Sequence, residues 1–512
     1  MQSNYTRNYI KIYFWQGVSL ILNFLSMFIV IPFFASDTTA YGIYSICISF
    51  AIFLAYADLG FVGSGLKYAA EYFAKGDSKS EFKVIGFTSF ILGVLLLLFA
   101  VGFIILSQQP TLLVKGIEGG RQQQIASSLF VILAIITTPT TILQRILQMI
   151  FGIRMEDYII QRSNIVGNLL KISAVFLFFK NGVYDIVGYF LFTQIVNLLA
   201  SLVTLFIAKK RYNYDFKELV YCFRFSDSAF QKTKSLAYAS LFLTISWVLY
   251  YELDAVAIGG LLGASWVAIY AIGLTVLSFF RSIFGIIYSP INIRFNHFVG
   301  LKDEEGLKSF VLNVITTFAP IVIIPILTIA LLAKPIVLAW VGRDYLLSVE
   351  VVQYLVLCNL FGFISYPIGN LLVAKEQHKQ MYFVAAILPV VFWIGIFLSI
   401  DFLGVKSFAI FKMISFFISF IVYYYILLHY LHMSFWSSLI RIFKPIALPL
   451  LFTVGTTVLI EDYLPTDKSK VNFITMAFIT ASIVVFAFVL HYFTSSIWRN
   501  KIGYVFSKYQ KK

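Results

Sequence analysis

VIGFTSFILGVLLLLFAVGFIIL, residues 84–106, holds no charged side chain. As a helix it would rise about 35 Å, enough to cross a hydrocarbon core of roughly 30 Å. Lipid offers the backbone no hydrogen-bond partners, so only helices or a closed barrel can span it, and this run lacks the alternation of a barrel strand. It reads as a membrane helix. Comparable blocks recur along all 512 residues, which are 60% hydrophobic and 12% charged, with a mean hydropathy of +0.88. Soluble domains average roughly 45–50% apolar and about 25% charged. The expected fold class is therefore all-α, a polytopic membrane protein with almost no soluble part.

Breaking the chain at polar clusters gives about fourteen predicted spans, beginning near residues 11, 40, 83, 124, 157, 183, 235, 263, 309, 346, 380, 405, 442 and 472. An even number puts both termini on one side. Most of the 39 Lys and Arg fall at the termini and in the loops after even-numbered spans, so the positive-inside rule places both termini in the cytoplasm. That distribution also explains the net charge of +15 without nucleic acid. The most basic segment, Lys209 to Lys234, divides the chain near its middle.

The two halves read as related. A shift of 226 positions superimposes Ile43-Tyr44 on Ile269-Tyr270 and Asp77 on Asp303, and a shift near 221 brings Arg154 onto Lys375. The expected organisation is a six-helix bundle over 1–208, a basic cytoplasmic linker over 209–234, and a second six-helix bundle over 235–433. Two extra helices and a cytoplasmic tail complete it over 434–512. Units with an even number of spans would be parallel repeats about an axis along the membrane normal. No extramembrane segment is long enough for a soluble catalytic domain, and the phosphate-cradling Gly-x4-Gly-Lys-Ser/Thr pattern is absent. Transport would draw on an ion gradient, the substrate gradient or a partner.

A charge at bilayer depth costs about 2.5–3.5 kcal/mol on insertion scales, so each one is a candidate functional group. The bases are Arg145, Lys171, Arg281 and Lys412; the acids are Asp58, Glu252 and Asp254. Several continue polar stripes at the three-to-four residue step of one helix face. Asn164, Asn168 and Lys171 form one; Ser278, Arg281, Gly285 and Tyr288 another; Lys412, Ser415 and Ser419 a third; Asn359, Tyr366 and Asn370 a fourth. Such faces in both halves imply a hydrated central cavity. Acid and base could instead neutralise each other as packing elements, Asp58 with Arg145 or Asp254 with Arg281. Four bases nevertheless exceed three acids, and an anionic ligand would resolve the excess, since arginine's planar fork suits phosphate oxygens and lysine adds a point charge. Arg145, Lys171, Arg281, Lys412, Asn168 and Asn370 are thus the expected ligands of a phosphate-bearing substrate, and Asp58, Glu252 and Asp254 the groups for ion coupling or charge pairing.

Other features carry no chemistry. Cys47, Cys222 and Cys358 are far apart and lack metal-ligand spacing, and His429 with His432 reads as interfacial. Asn4-Tyr5-Thr6 matches a glycosylation acceptor on the predicted cytoplasmic side. No cofactor or metal is expected. Prolines at 32, 139, 320, 325, 367 and 389 lie within or near the ends of spans, where they can kink helices.

One stretch goes beyond class: Ala40-Tyr41-Gly42-Ile43-Tyr44-Ser45, then Asp58-Leu59-Gly60-Phe61, then Lys67 through Asp77. It resembles the start of a Wzx-type polysaccharide repeat-unit (O-antigen) flippase, in the superfamily that also holds multidrug extrusion transporters and lipid II flippases. Asp254 to Ile258, Gly259, Gly263 and Tyr270 resemble the same family in the second half. Where members often carry Pro-Glu before the Tyr-Gly, this chain has Thr38-Thr39-Ala40. The resemblance implies a non-enzymatic flippase that moves undecaprenyl-pyrophosphate-linked oligosaccharide across a bacterial inner membrane by alternating access, coupled to a proton or cation gradient. Its expected partners are that lipid-linked substrate, membrane lipids, a polysaccharide polymerase and a chain-length regulator. The rivals are a cation extruder on the same scaffold, which would need acids to dominate the cavity, and a membrane-embedded polymerase or glycosyltransferase, which would need a larger outer loop. A purely structural protein would not need cavity charges.

Overall fold

In this computed structural model, which describes residues 2–117, 119–180 and 183–500, all fourteen expected span positions are helical and the described residues contain no strand. Residues 501–512, the expected tail, lie outside the described residues. Among those described, ten helices are long and apolar enough to cross a membrane, or up to twelve if two bent pairs each count as one span. The remaining two positions fall short for physical reasons. Thr38–Leu54 is only 17 residues long, and Tyr158–Phe178 carries Arg162, Asn164, Asn168 and Lys171.

The chain divides into two compact units, Met1–Ala271 and Ile272–Lys512. The first holds α1 (Gln2–Phe34), α2 (Thr38–Leu54), α3 (Phe61–Ala74), α4 (Ser78–Gln108), α5 (Gly120–Ile132), α6 (Thr138–Gly152), α7 (Tyr158–Phe178), α8 (Ile186–Tyr212), α9 (Phe216–Tyr221), α10 (Asp227–Tyr251), α11 (Asp254–Leu261) and the start of α12 (Ala264–Gly300). The second holds the rest of α12, then α13 (Glu304–Leu331), α14 (Ala333–Val341), α15 (Ser348–Leu357), α16 (Gly362–Ala374), α17 (His378–Leu403), α18 (Lys406–Leu431), α19 (Phe435–Phe443), α20 (Ala447–Ile460) and α21 (Lys470–Thr494).

The way α5 joins α6 shows how sequence solves a membrane problem. Pro139 has no N–H to give, so carbonyls in the preceding turn lose a partner. The run Thr137-Thr138-Pro139-Thr140-Thr141 supplies hydroxyls instead. Leu133–Thr137 widens into a π turn, the Thr138 hydroxyl donates to the Leu133 carbonyl at 2.8 Å, and Thr140 donates to Ile136 at 2.7 Å. The result is one continuous 33-residue span, Gly120–Gly152.

Each unit repeats the same devices at its basic end. An aspartate caps the long helix that follows a residue of positive φ: Asp77 caps α4 after Gly76 (φ 72°), and Asp303 caps α13 after Lys302 (φ 55°). The Ser80 hydroxyl and amide hold the Asp77 carboxyl below the usual range. Met155 (φ 55°) follows Arg154 as Glu376 (φ 54°) follows Lys375, and α8 and α18 end on Asn213 (φ 50°) and His432 (φ 53°). Arg154 pairs with Glu81 at 2.9 Å and lies 5.0 Å over the Tyr212 ring; Lys375 pairs with Glu304 at 3.0 Å and lies 4.4 Å over Tyr430. In both units an acid at the head of a long helix, a base in a turn and a tyrosine near a helix end tie three helices together.

Close backbone approach fixes the other end of the first unit. The Lys115 amide donates to Gly259 at 3.0 Å, and the Ala264 amide donates to the Lys115 carbonyl at 3.1 Å, pinning the loop after α4 to the α11–α12 corner. Gly42 of α2 meets the same corner, where a Cβ would lie 1.7 Å from the Ala264 carbonyl oxygen. Gly42→Ala should therefore force α2 off α12 and destabilise by about 1–3 kcal/mol. Thermal denaturation in detergent should show a clear fall in Tm for Gly42→Ala and none for Gly102→Ala, whose Cβ would meet nothing within 4 Å.

Candidate functional site

The seven intramembrane charges fall into clusters, and each cluster has its own chemistry. Three of the acids first need relocation, to two places. α2 ends at Leu54, so Asp58 lies in the turn before α3 rather than inside a span. Glu252 and Asp254 flank a 48° bend between α10 and α11. Both are places where backbone N–H groups come free of the helical ladder and an acid can cap them.

In the first unit, Asp58 Oδ2 accepts from the Val62 amide at 2.8 Å, at the opening of α3. Arg145 on α6 donates to the Ala55 carbonyl of the same turn and, through Nη1, to Gln148 at 2.6 Å. Asp58 and Arg145 lie near enough for their charges to act on one another. The guanidinium thus clamps the α2–α3 turn, which leaves Arg145 half-buried. Asp254 is fully buried and accepts a 2.6 Å hydrogen bond from the Tyr270 hydroxyl; Glu252 is buried two residues earlier.

Lys171 and Asn168 share one face of α7. The Lys171 ammonium donates to Asn197 Oδ1 of α8 at 2.8 Å, and Asn197 in turn donates to Gln194 at 3.4 Å. The Tyr189 hydroxyl closes the group on the Lys171 carbonyl. Asn168 is buried beside it in sequence.

In the second unit, two of the sequence stripes meet. Asn359 and Asn370 of the α15–α16 segment donate to the carbonyls of Leu277 (3.4 Å) and Tyr288 (3.5 Å) of α12. Between them the Tyr288 and Tyr366 rings stack, 5.2 Å apart and 5° from parallel. Arg281 acts electrostatically on the Tyr366 hydroxyl. The Tyr288 hydroxyl is buried with no hydrogen-bond partner among the described residues. Lys412, 1% exposed, belongs to a separate place on α18, 5.2 Å over the Phe392 ring of α17.

Helical spacing found Arg281, Tyr288, Tyr366 and Asn370 but missed Asn197, Gln148 and Tyr270. Asn197 belongs to a polar stripe of α8, Gln194, Asn197, Ser201 and Thr204, at the same three-to-four residue step, and that stripe was the available signal. Among the described residues no group of three or more His, Cys, Asp or Glu could hold a metal ion.

No protein-family model and no curated protein matches this sequence. The fold is similar to solved structures. Lipid II flippase MurJ in an inward closed conformation aligns with a TM-score of 0.68 and 14% identity, over 95% of this chain and 99% of that one. An inward-facing multidrug resistance MATE family transporter of the MOP superfamily aligns at 0.62 and 14%, over 81% and 94%. A MOP superfamily transporter from Pyrococcus furiosus, described as having a binding pocket of reverse polarity, aligns at 0.55 and 15%, over 84% and 96%. The likeness establishes the fold.

Lys171 and Asn197 offer a direct test of how charge is held here. Removing the amide oxygen with Asn197→Leu should destabilise by about 1.5–3 kcal/mol, the size of a lost hydrogen bond to a charged group. Lys171→Met/Asn197→Leu should recover most of that loss. A double-mutant cycle on detergent Tm values reads the coupling, and additive losses would show that the bond contributes nothing.

Proposed function

We propose that this chain is a secondary transporter whose cargo is an anionic lipid-linked oligosaccharide. In its specific form the cargo is an undecaprenyl-pyrophosphate repeat unit, moved from the inner to the outer leaflet of a bacterial cytoplasmic membrane. The observation that carries this reading is the Arg281 cluster: a guanidinium at membrane depth beside the stacked Tyr288–Tyr366 pair and Asn370. A guanidinium suits phosphate oxygens, and flat aromatic faces with an amide suit sugar rings. Arg145, Lys171 and Asn168 of the first unit and Lys412 of the second are the other proposed ligand groups, each in its own cluster, with Asp58, Glu252 and Asp254 as coupling or pairing groups.

The fold supports the reading in a second way. The lipid II flippase covers 95% of this chain and the MATE transporter 81%, a difference of roughly two membrane helices. Six-helix repeats followed by two extra helices are the proposed organisation, with both termini cytoplasmic and the basic linker between the bundles. The matching devices at the basic ends, Asp77 with Asp303 and Arg154 with Lys375, favour that repeat. Alternating access is the proposed mode of transport. A polymerase and a chain-length regulator would act on the product. The chain itself would do no bond chemistry.

The buried acids of the first unit, Glu252 and Asp254, favour one rival, extrusion of a cation on the same scaffold. The two readings separate in proteoliposomes. Arg281→Gln or Arg145→Gln should reduce translocation of a fluorescent polyprenyl-pyrophosphate oligosaccharide at least tenfold, about 1.4 kcal/mol of lost binding, with membrane insertion intact; Arg145→Gln, which also removes the clamp on the α2–α3 turn, should lower Tm as well. Unimpaired transport by the double variant would overturn the anion site, and efflux of a cationic dye dependent on Asp254 would establish the rival.

A further inference from the structure

A second basic feature lies away from these clusters, at the basic end of the second unit. A cavity of about 460 Å³ opens between the end of α16, the first turns of α17 and the last turns of α18. Lys375, Lys379, Gln380 and His429 line it together with the apolar Phe383, Val422 and Ile426. We infer that this cavity binds the phosphate headgroup of an anionic phospholipid, whose acyl chains run down the outer faces of α17 and α18.

Charge is the first argument. Lys375 is committed to Glu304 at 3.0 Å and to the Tyr430 ring. Lys379 is exposed and makes no ion pair among the described residues, and His429 is exposed on the facing helix. With no acid in its lining, the cavity keeps the positive charge of Lys379, and His429 adds a polar ring beside it. Polybasic positions at a membrane surface attract acidic headgroups.

The surface beyond the cavity decides the kind of anion. Away from the cavity both helices continue as exposed apolar surface: Val390, Ile394, Phe397 and Leu398 on α17, Phe417 and Ile421 on α18. A free phosphate would use only the polar groups of the cavity. A phospholipid uses those groups and the apolar surface together, and in the bilayer its phosphate sits at the level where these helices begin and end. Tyr425, in the lining and 69% exposed, has the amphipathic ring favoured at that level.

Native mass spectrometry of the full chain, released from detergent after incubation with dioleoyl phosphatidylglycerol or dioleoyl phosphatidylcholine, tests the assignment. The wild-type chain should retain phosphatidylglycerol in preference to phosphatidylcholine, and inorganic phosphate should not displace it. Losing a lysine from contact with an acidic headgroup weakens binding about fivefold, so Lys379→Gln/His429→Gln should lose most of the preference. Lys209→Gln/Lys210→Gln, which removes two exposed charges from α8 instead, should keep it. Displacement by inorganic phosphate, equal retention of the two lipids, or an unchanged preference in the cavity variant would each overturn the proposal. All of these substitutions are at exposed positions, so folding is preserved, and the readout is independent of transport.

Discussion

Hydrocarbon supplies no hydrogen bonds, and nearly everything in this structure answers that one constraint. Backbone groups satisfy one another in helices. Where a helix must break, a side chain intervenes: threonines around Pro139, Asp58 at the mouth of α3, aspartates at the heads of α4 and α13. Charges inside follow the same rule. Lys171 has Asn197, Arg145 has the Ala55 carbonyl, and Asp254 has Tyr270.

The same constraint shapes the ion pairs at the helix ends. Arg154 with Glu81 and Lys375 with Glu304 are matched ion pairs, and removing one partner of a buried pair such as the first leaves an uncompensated charge, at a cost of about 3–5 kcal/mol. They read as ties that hold helix ends in register. In the second unit Arg281 acts on the Tyr366 hydroxyl of the stacked Tyr288–Tyr366 pair, and the Asn370 amide donates to the Tyr288 carbonyl. The proposed cargo rests on that combination, since a guanidinium suits phosphate oxygens and flat rings suit sugars.

Most of the fold was legible in the sequence because a membrane span needs about twenty apolar residues and few other structures tolerate them. Every expected span position proved helical. The departures came where composition is mixed. Span two stops at Leu54 because Asp58 and Gly60 favour a turn, with Gly60 at φ 80°, and span thirteen, expected near residue 442, is preceded by the separate nine-residue helix α19, bent 59° from α20. The positive-φ positions Met155 and Glu376 carry no glycine signal, so the matching turns emerged only from backbone geometry. Helical spacing placed Arg281, Tyr288, Tyr366 and Asn370 on two faces, and the structure brings those faces together. Partners far apart in sequence were beyond it: Ala55 and Arg145 are ninety residues apart, and Lys171 and Asn197 twenty-six. Spacing along one helix carries no information about which other helix packs against it.

The central claim is that basic groups at membrane depth hold an anionic, lipid-tethered glycan. Its most direct measurement is the identity of lipids retained by the protein purified from a membrane that makes such glycans, read by mass spectrometry. The expected result is a polyprenyl-pyrophosphate glycan on the wild-type chain and its loss from Arg145→Gln/Arg281→Gln. Equal retention of that glycan by both proteins would contradict the claim.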